Sequence, residues 1–335
     1  MARKRAHTSQ LNLFERTDGE NGEPALRHKP VASVVRNLAR QLPSNLFLGT
    51  SSWSFPGWDG IVYEGDTSKK QLISDGLRAY AEHPLFRSVG LDRTYYGPIS
   101  AADFGNYAEQ VPENFRFLVK AHQLCTSPKQ IDASATHSRV SQWNPHFLSP
   151  SYVADMVLGP MLEGLGDKAG VLLFQFPPIP SGAVGGAQRF AERLHGFLEK
   201  LPSGPIYAVE LRTAELLTRN YAAALTDNGA VHCYNVHPTM PEISRQARVV
   251  APAKIRAVVV RWMLGSGLSY ERAKEAYAPF NALVDEDPTS RLEIARMCQA
   301  ATDDDKPTFV IANNKAEGCS PLTLRKLAEQ IALNH

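Results

Sequence analysis

A chain of 335 residues with 43% hydrophobic and 9% aromatic content can build one large α/β barrel or two ordinary domains, and it excludes a chain disordered throughout. Its formal net charge of +2 excludes the broad basic surface of a general duplex-binding protein, though not a local cationic site. No run of about 18 apolar residues is present to cross a membrane, and the start M-A-R-K-R-A-H-T-S-Q lacks the apolar core of a secretion signal, so a cytoplasmic protein is expected.

Residues 1–30 are polar, carry Gly19, Gly22, Pro24 and Pro30, and have little to bury, which predicts a flexible tail. Arg3, Lys4 and Arg5 could touch an anionic polymer, but a run of only three charges reads first as a solvated terminus. In the segment 31–43 the residues Val31, Val34, Val35, Leu38 and Leu42 recur at helical spacing before Pro43, predicting an amphipathic helix that docks on the main domain. From residue 45 to 335, strand and helix signals alternate without a linker. Strands are predicted over 45–51, 85–92, 115–120, 171–176, 206–212, 230–236, 256–262 and 308–313. Helices are predicted over 69–82, 101–110, 152–165, 187–200, 214–227, 270–283, 291–300 and 322–333. The excursion 123–149, with Pro128, Pro145 and several Ser and Thr, reads as a loop.

Eight strands alternating with helices predict a single-domain TIM-like (β/α)8 barrel, of class α/β, preceded by the tail and the one amphipathic helix. A doubly wound dinucleotide fold is disfavoured, because the first strand runs into G-T-S-S-W-S-F-P-G-W rather than G-x-G-x-x-G. No nucleotide-cofactor motif, Walker loop, G-x-S-x-G elbow or H-E-x-x-H is present, so any cofactor is unknown. Cys125, Cys233, Cys298 and Cys319 show neither C-x-x-C nor zinc spacing and are expected to be reduced, structural thiols.

The fifth strand, I-Y-A-V-E-L-R over 206–212, is apolar until its end, where Glu210 and Arg212 share one face. Alone, such a pair is as consistent with a structural ion pair as with a site. The other strands also end polar, at Ser51, Ser52 and Trp53, Asp92, Lys120, Gln175, Asn235 and His237, Arg261, and Asn313 with Asn314. In a barrel these residues converge on the carboxyl-end face, where barrel chemistry sits. Lys120, Arg212 and Arg261 oppose Glu210 and Asp92, a modest positive excess. Guanidinium forks suit phosphate or carboxylate and the amides suit hydroxyls, which predicts a small anionic or sugar-like ligand.

Glu210 is the leading carboxylate, kept ionised by Arg and suited to base or ligand-anchor work, while Lys120, if desolvated, suits a base or an electrostatic stabiliser. Arg212, Arg261, Asn313, Asn314, Gln175, Asp92, Trp53 and Tyr95 are the predicted ligand-binding residues. Trp53, Trp58, Tyr63, Tyr95 and Tyr96, in the loops after the first two strands, fit a stacking surface as well as a packed lid. A metal centre is not expected, since its convergent ligands reduce to Asp92, Glu210 and His237, with Glu242 less favoured. His122 could take part in catalysis, although a loop histidine is more often structural.

With these residues in view, the chain resembles the YecE-like family, the domain of unknown function 72. The resemblance spans 45–331 and rests on G-T-S-S-W-S-F-P-G-W-D-G with Tyr63, F-R-S-V-G-L-D-R-T-Y-Y, F-R-F-L-V-K-A, L-L-F-Q-F-P-P, Y-A-V-E-L-R, V-V-V-R-W and I-A-N-N-K-A-E-G. It implies a TIM-barrel-like fold, with no activity established for the class. The chain departs from the family's pattern at Val89-Gly90-Leu91-Asp92, where V-E-I-N is usual. Ser127 and Thr213 stand where histidine is usual, and Trp262-Met263-Leu264 replaces L-H-G. A typical site that used those histidines for metal binding or proton transfer would be altered in this member. Three functions follow as expectations: a barrel that binds or acts on a phosphate- or sugar-containing ligand, a nucleic-acid-binding or repair-associated protein, or a non-catalytic binding scaffold. No membrane contact is expected, and no protein partner can be inferred.

Overall fold

Eight parallel strands close on themselves in chain order: β1 Leu46–Thr50, β2 Ser88–Leu91, β3 Arg116–Lys120, β4 Ala169–Gln175, β5 Ile206–Glu210, β6 Val231–Val236, β7 Val258–Trp262 and β8 Thr308–Ala312. The computed structural model describes residues 26–65, 67–131, 141–265 and 267–333. The last strand returns to the first through Phe309 opposite Phe47, whose rings stack 4.6 Å apart. Runs such as V-V-V at Val258–Val260 and V-L-L-F at Val171–Phe174 suit strands buried on both faces, and these residues are fully buried. The barrel predicted from strand count is therefore the fold, and its strands lie within a few residues of the expected spans.

The helices around the barrel are α1 Ser33–Gln41, α2 Lys69–Ala81, α3 Ala101–Ala108, a fourth helical stretch α4 from Pro150 to Leu165, then α5 Gly186–Leu198, α6 Arg219–Thr226, α7 Ile243–Val249, α8 Tyr270–Tyr277, α9 Pro288–Asp303 and α10 Ser320–Ala332. Sequence signals set several starts: Ser68 with Gln71 and Ser100 with Asp103 form capping boxes, and Asp287 caps α9 just before Pro288. Within α4 the segment Ala154–Leu158 is a π turn. Pro160 explains it, since proline has no N–H for the carbonyl four residues back and its ring crowds that carbonyl.

Four stretches differ from the sequence reading. Arg27–His28, placed with the tail, pairs antiparallel with Tyr63–Glu64, and His28 packs edge-on against His83 at 5.5 Å. Residues 1–25, the rest of the predicted tail, lie outside the described residues. The excursion after β3 is more regular than a loop, with the strands Lys129–Ile131 and Ser141–Trp143 paired antiparallel. The helix expected over 270–283 stops at Tyr277, before Pro279. The helix α7 is absent from the sequence reading, because I-S-R-Q-A-R-V at Ile243–Val249 has too few apolar positions to declare a period.

The seam between β1 and β2 is short, pairing Gly49 with Ser88 and Thr50 with Val89. A Cβ on Gly49 would lie 2.1 Å from the Ser88 carbonyl oxygen, so the two backbones approach as closely as only glycine permits. Tyr80 on α2 reinforces the seam. Its hydroxyl donates to Ser88 O at 3.1 Å and accepts from the Thr50 amide at 2.9 Å. Tyr80→Phe would strand that buried amide, so it is expected to lower unfolding free energy by roughly 1–3 kcal/mol in urea denaturation. An unchanged midpoint would show that the seam holds without the hydroxyl.

Candidate functional site

Parallel pairing fixes which side chains share the barrel lumen, because register partners point to the same side. Gln175 pairs with Glu210, Asn235 with Arg261, and Arg261 with Ile311, whose methyl would lie 3.6 Å from a Cβ at Gly90 across the lumen. Two residues further along β2 and β3 the same face carries Asp92 and Lys120. The strand ends therefore bring Asp92, Lys120, Gln175, Glu210, Asn235 and Arg261 to one mouth, at the carboxyl end of the strands.

At its centre lies Glu210, completely buried. Its Oε1 meets Arg212 Nη2 at 2.5 Å and its Oε2 accepts from Arg261 Nη1 at 2.6 Å. Arg261, only 1% exposed, also reaches Asp92 Oδ1 at 3.5 Å. Burial alone would push the Glu210 carboxyl up, but Arg212 and Arg261 outweigh it and hold it below the ordinary carboxylate range. A buried carboxylate between two guanidiniums stays ionised, and its lone pairs are spent on them. Cys233, one pleat below in the lumen, is a buried thiol driven well up by desolvation and by the Glu210 charge, so it is not a nucleophile.

Lys120 differs from these paired groups. It is 9% exposed, its Nζ sits 3.7 Å from the centre of the Tyr95 ring, and among the described residues its amine makes no hydrogen bond or ion pair. Burial pulls its pKa down, Asp92 and Glu210 pull it up, Arg261 and Arg212 push it down, and the balance is about 8. Arg212 likewise has capacity to spare, for only its Nη2 is engaged, by Glu210, and its Nη1 has no acceptor among the described residues. With Asp92 and Glu210 set against Lys120, Arg212 and Arg261, the mouth carries one positive charge in excess when all five are ionised.

The remaining predicted residues divide between the mouth and its supports. Gln175 is half-buried at the end of β4 without a side-chain hydrogen bond among the described residues. Asn313, also half-buried, accepts the backbone amide of Lys315 with its side-chain oxygen at 3.0 Å. Asn314 is buried and accepts from Trp58 Nε1, Ser320 N and Ser320 Oγ, so its oxygen fastens the start of α10. Trp53 is buried beside Tyr107, with its indole N–H on Leu72 O at 2.8 Å. His122, buried, shares a 2.6 Å hydrogen bond with the Tyr152 hydroxyl, and burial lowers its pKa. His237 shares a hydrogen bond with Thr239 Oγ1. Thr213, where the resemblance would place histidine, ties its hydroxyl to the backbone of Ile179. Among the described residues no group of three or more His, Cys, Asp or Glu side chains converges to hold a metal ion. The cysteines are free and buried. Among the described residues no helix is long and apolar enough to cross a membrane.

Sequence reasoning named Asn235 as a polar strand end but missed its support of Glu210 and the residues behind it. Asn235 donates to Leu211 O at 2.8 Å and to Glu210 Oε1 at 3.4 Å. Gln246 on α7 clamps both the amide and the carbonyl of Asn235, and it also meets His232 Nε2 at 3.1 Å. His232 Nδ1 in turn shares a 2.8 Å bond with Tyr221 Oη on α6. Burial lowers the His232 pKa to about 4, so this chain is neutral at pH 7. Lys315 was also missed: it is buried, with its ammonium 4.0 Å from the Tyr270 ring centre and 5.5 Å from that of Phe280.

A parallel eight-stranded barrel with charged and amide groups gathered on its strand ends defines the TIM-like barrels that carry their site at the carboxyl-end face. The chain belongs to the DUF72 family, described as protein of unknown function, whose model matches residues 47–335. It is similar to the crystal structure of a DUF72 family protein from Thermotoga maritima, with a TM-score of 0.58 and 20% identity over 87% of this chain and 99% of that one. It is also similar to one from Enterococcus faecalis, with a TM-score of 0.52 and 16% identity over 85% of this chain and 95% of that one. Both likenesses concern the fold. A search of curated proteins finds no match to this sequence.

Two outcomes test the electrostatics. Glu210→Gln leaves two buried guanidiniums short of a carboxylate and is expected to cost roughly 3–5 kcal/mol in denaturant unfolding. Because Glu210 is depressed in the fold, its contribution is present above the ordinary value of 4.5 and is lost as pH falls through the folded pKa. Thermal melts from about pH 6 down to about 3 should therefore narrow the gap between the parent and Glu210→Gln. A constant gap would mean that the carboxylate is not the stabilising species. Separately, acylation of Lys120 by acetic anhydride, followed by peptide mass spectrometry, should reach half its maximal rate near pH 8. A midpoint at the ordinary lysine value of 10.5 would contradict the desolvated environment.

Proposed function

We propose that the mouth of the barrel binds a small anionic ligand that carries a phosphate or a sugar. The observation that carries this reading is the unspent cationic capacity at one place. Arg212 has an Nη1 with no acceptor and Lys120 has no anionic partner among the described residues, while Glu210 and Asp92 are already committed to Arg261 or Arg212. Glu210 fits the part of a positioning residue, since it fixes both guanidiniums and has little left to give a ligand. Gln175 supplies an amide suited to a hydroxyl. Of the loop aromatics, Trp53, Trp58 and Tyr63 are buried and hydrogen-bonded, Tyr95 is half-buried against Lys120 and Tyr96 alone is exposed, a narrower stacking surface than a polymer would use, which favours a small ligand.

Calorimetric titration with ribose 5-phosphate and with ribose tests the reading. The phosphorylated sugar should bind more tightly, and Arg212→Gln should weaken it about tenfold or more, the loss of one charge-assisted hydrogen bond. Equal binding of the two sugars, unchanged in Arg212→Gln, would sink the proposal.

A further inference from the structure

We propose that Lys120 is a covalent-catalytic amine, forming an imine with the carbonyl carbon of an anionic aldehyde or ketone held at the barrel mouth. The inference rests on the reading of the mouth as an anion site and names the substrate class it would take. Four observations carry it. The side chain stands on the lumen face at the end of β3, so a rigid strand rather than a loop positions it. It is largely buried yet keeps 9% of its surface exposed, and its amine has no acceptor among the described residues. The Tyr95 ring lies 3.7 Å from Nζ and limits where the amine can swing. Burial in the mouth disfavours its charged form and outweighs the Asp92 and Glu210 carboxylates that favour it, the arrangement that leaves a lysine amine nucleophilic near neutral pH.

The other nucleophiles of the lumen do not compete. Cys233 is sealed beside Glu210, and the Glu210 carboxylate is held by two guanidiniums. In the proposed step the Nζ lone pair attacks the carbonyl carbon, forming a C–N bond as the C=O π pair moves to oxygen. Proton transfer from nitrogen to that oxygen gives a carbinolamine. Loss of its hydroxyl with a second nitrogen proton releases one water and leaves C=N, with no change of oxidation state. The positive charge that appears when the imine is protonated sits beside the Glu210 and Asp92 carboxylates, which favour it. Arg212, whose Nη2 is held by Glu210 and whose Nη1 makes no hydrogen bond among the described residues, is placed to hold the anionic end of the ligand.

The full-length protein is incubated with glycolaldehyde phosphate and sodium cyanoborohydride, which supplies the hydride that reduces the imine to a stable secondary amine. Peptide mass spectrometry should find Lys120 labelled ahead of every other lysine, with a gain of the probe's mass less one oxygen atom. Inorganic phosphate should slow labelling, and glycolaldehyde should label Lys120 at least about tenfold more slowly at equal concentration, the worth of one charge-assisted contact. Arg212→Gln should bring the two probes to similar rates. Lys120→Arg, checked for folding by circular dichroism, should abolish labelling at that position. If the phosphorylated probe binds by calorimetry and no lysine, or only exposed lysines, is labelled, the imine chemistry is overturned while the anion site stands. If Lys120 is labelled at the same rate by both probes and phosphate does not protect it, the preference for an anionic carbonyl compound is overturned together with the anion site.

Discussion

The carboxylate of Glu210, sealed in the lumen between Arg212 and Arg261, is the constraint on which the rest of the mouth depends. Three charges cannot be taken out of water unless each is matched within hydrogen-bonding distance, and here the matching crosses the barrel from β5 to β7 and on to Asp92 beyond β2. That requirement fixes the guanidinium planes. It also leaves Lys120, whose amine makes no ion pair among the described residues, as the charge in excess once the two guanidiniums and two carboxylates balance.

The fold could be read from the chain because its cause is local and periodic. Stretches such as Val258–Trp262 and Ala169–Gln175 are apolar runs bounded by turn residues, and their number and alternation with helices leave few architectures open. The polar ring could also be read, since a strand that turns ionic at its last residue, as at Glu210 and Lys120, marks the open end of a barrel. What could not be read was the division of labour within that ring. Asn314 and Trp53 occupy strand ends like the others, yet their polar atoms serve α10 and α2. Only contacts between residues far apart in the chain separate them from Lys120 and Arg212.

The supporting chain behind Glu210 was hidden for a related reason. Gln246 lies on the short helix α7, in a run that is polar enough to pass for a loop, and nothing in its neighbours signals that its amide will clamp the end of β6. His232 sits in the middle of an apolar strand, where a histidine carries no instruction about its partner. Both are buried polar groups whose value depends on complete pairing, and such networks are invisible until the strands are set side by side.

The path Tyr221, His232, Gln246 and Asn235 has a consequence for how such a barrel can change. Every link up to Asn235 is a neutral hydrogen bond made from a helix or a strand, Asn235 then donates to the Glu210 carboxylate, and none of these residues belongs to the long excursion after β3. The charged centre is thus braced from outside the barrel wall, independently of the loops that roof it. A roof carried on such a frame can be lengthened, shortened or exchanged while the electrostatic floor beneath it stays in place.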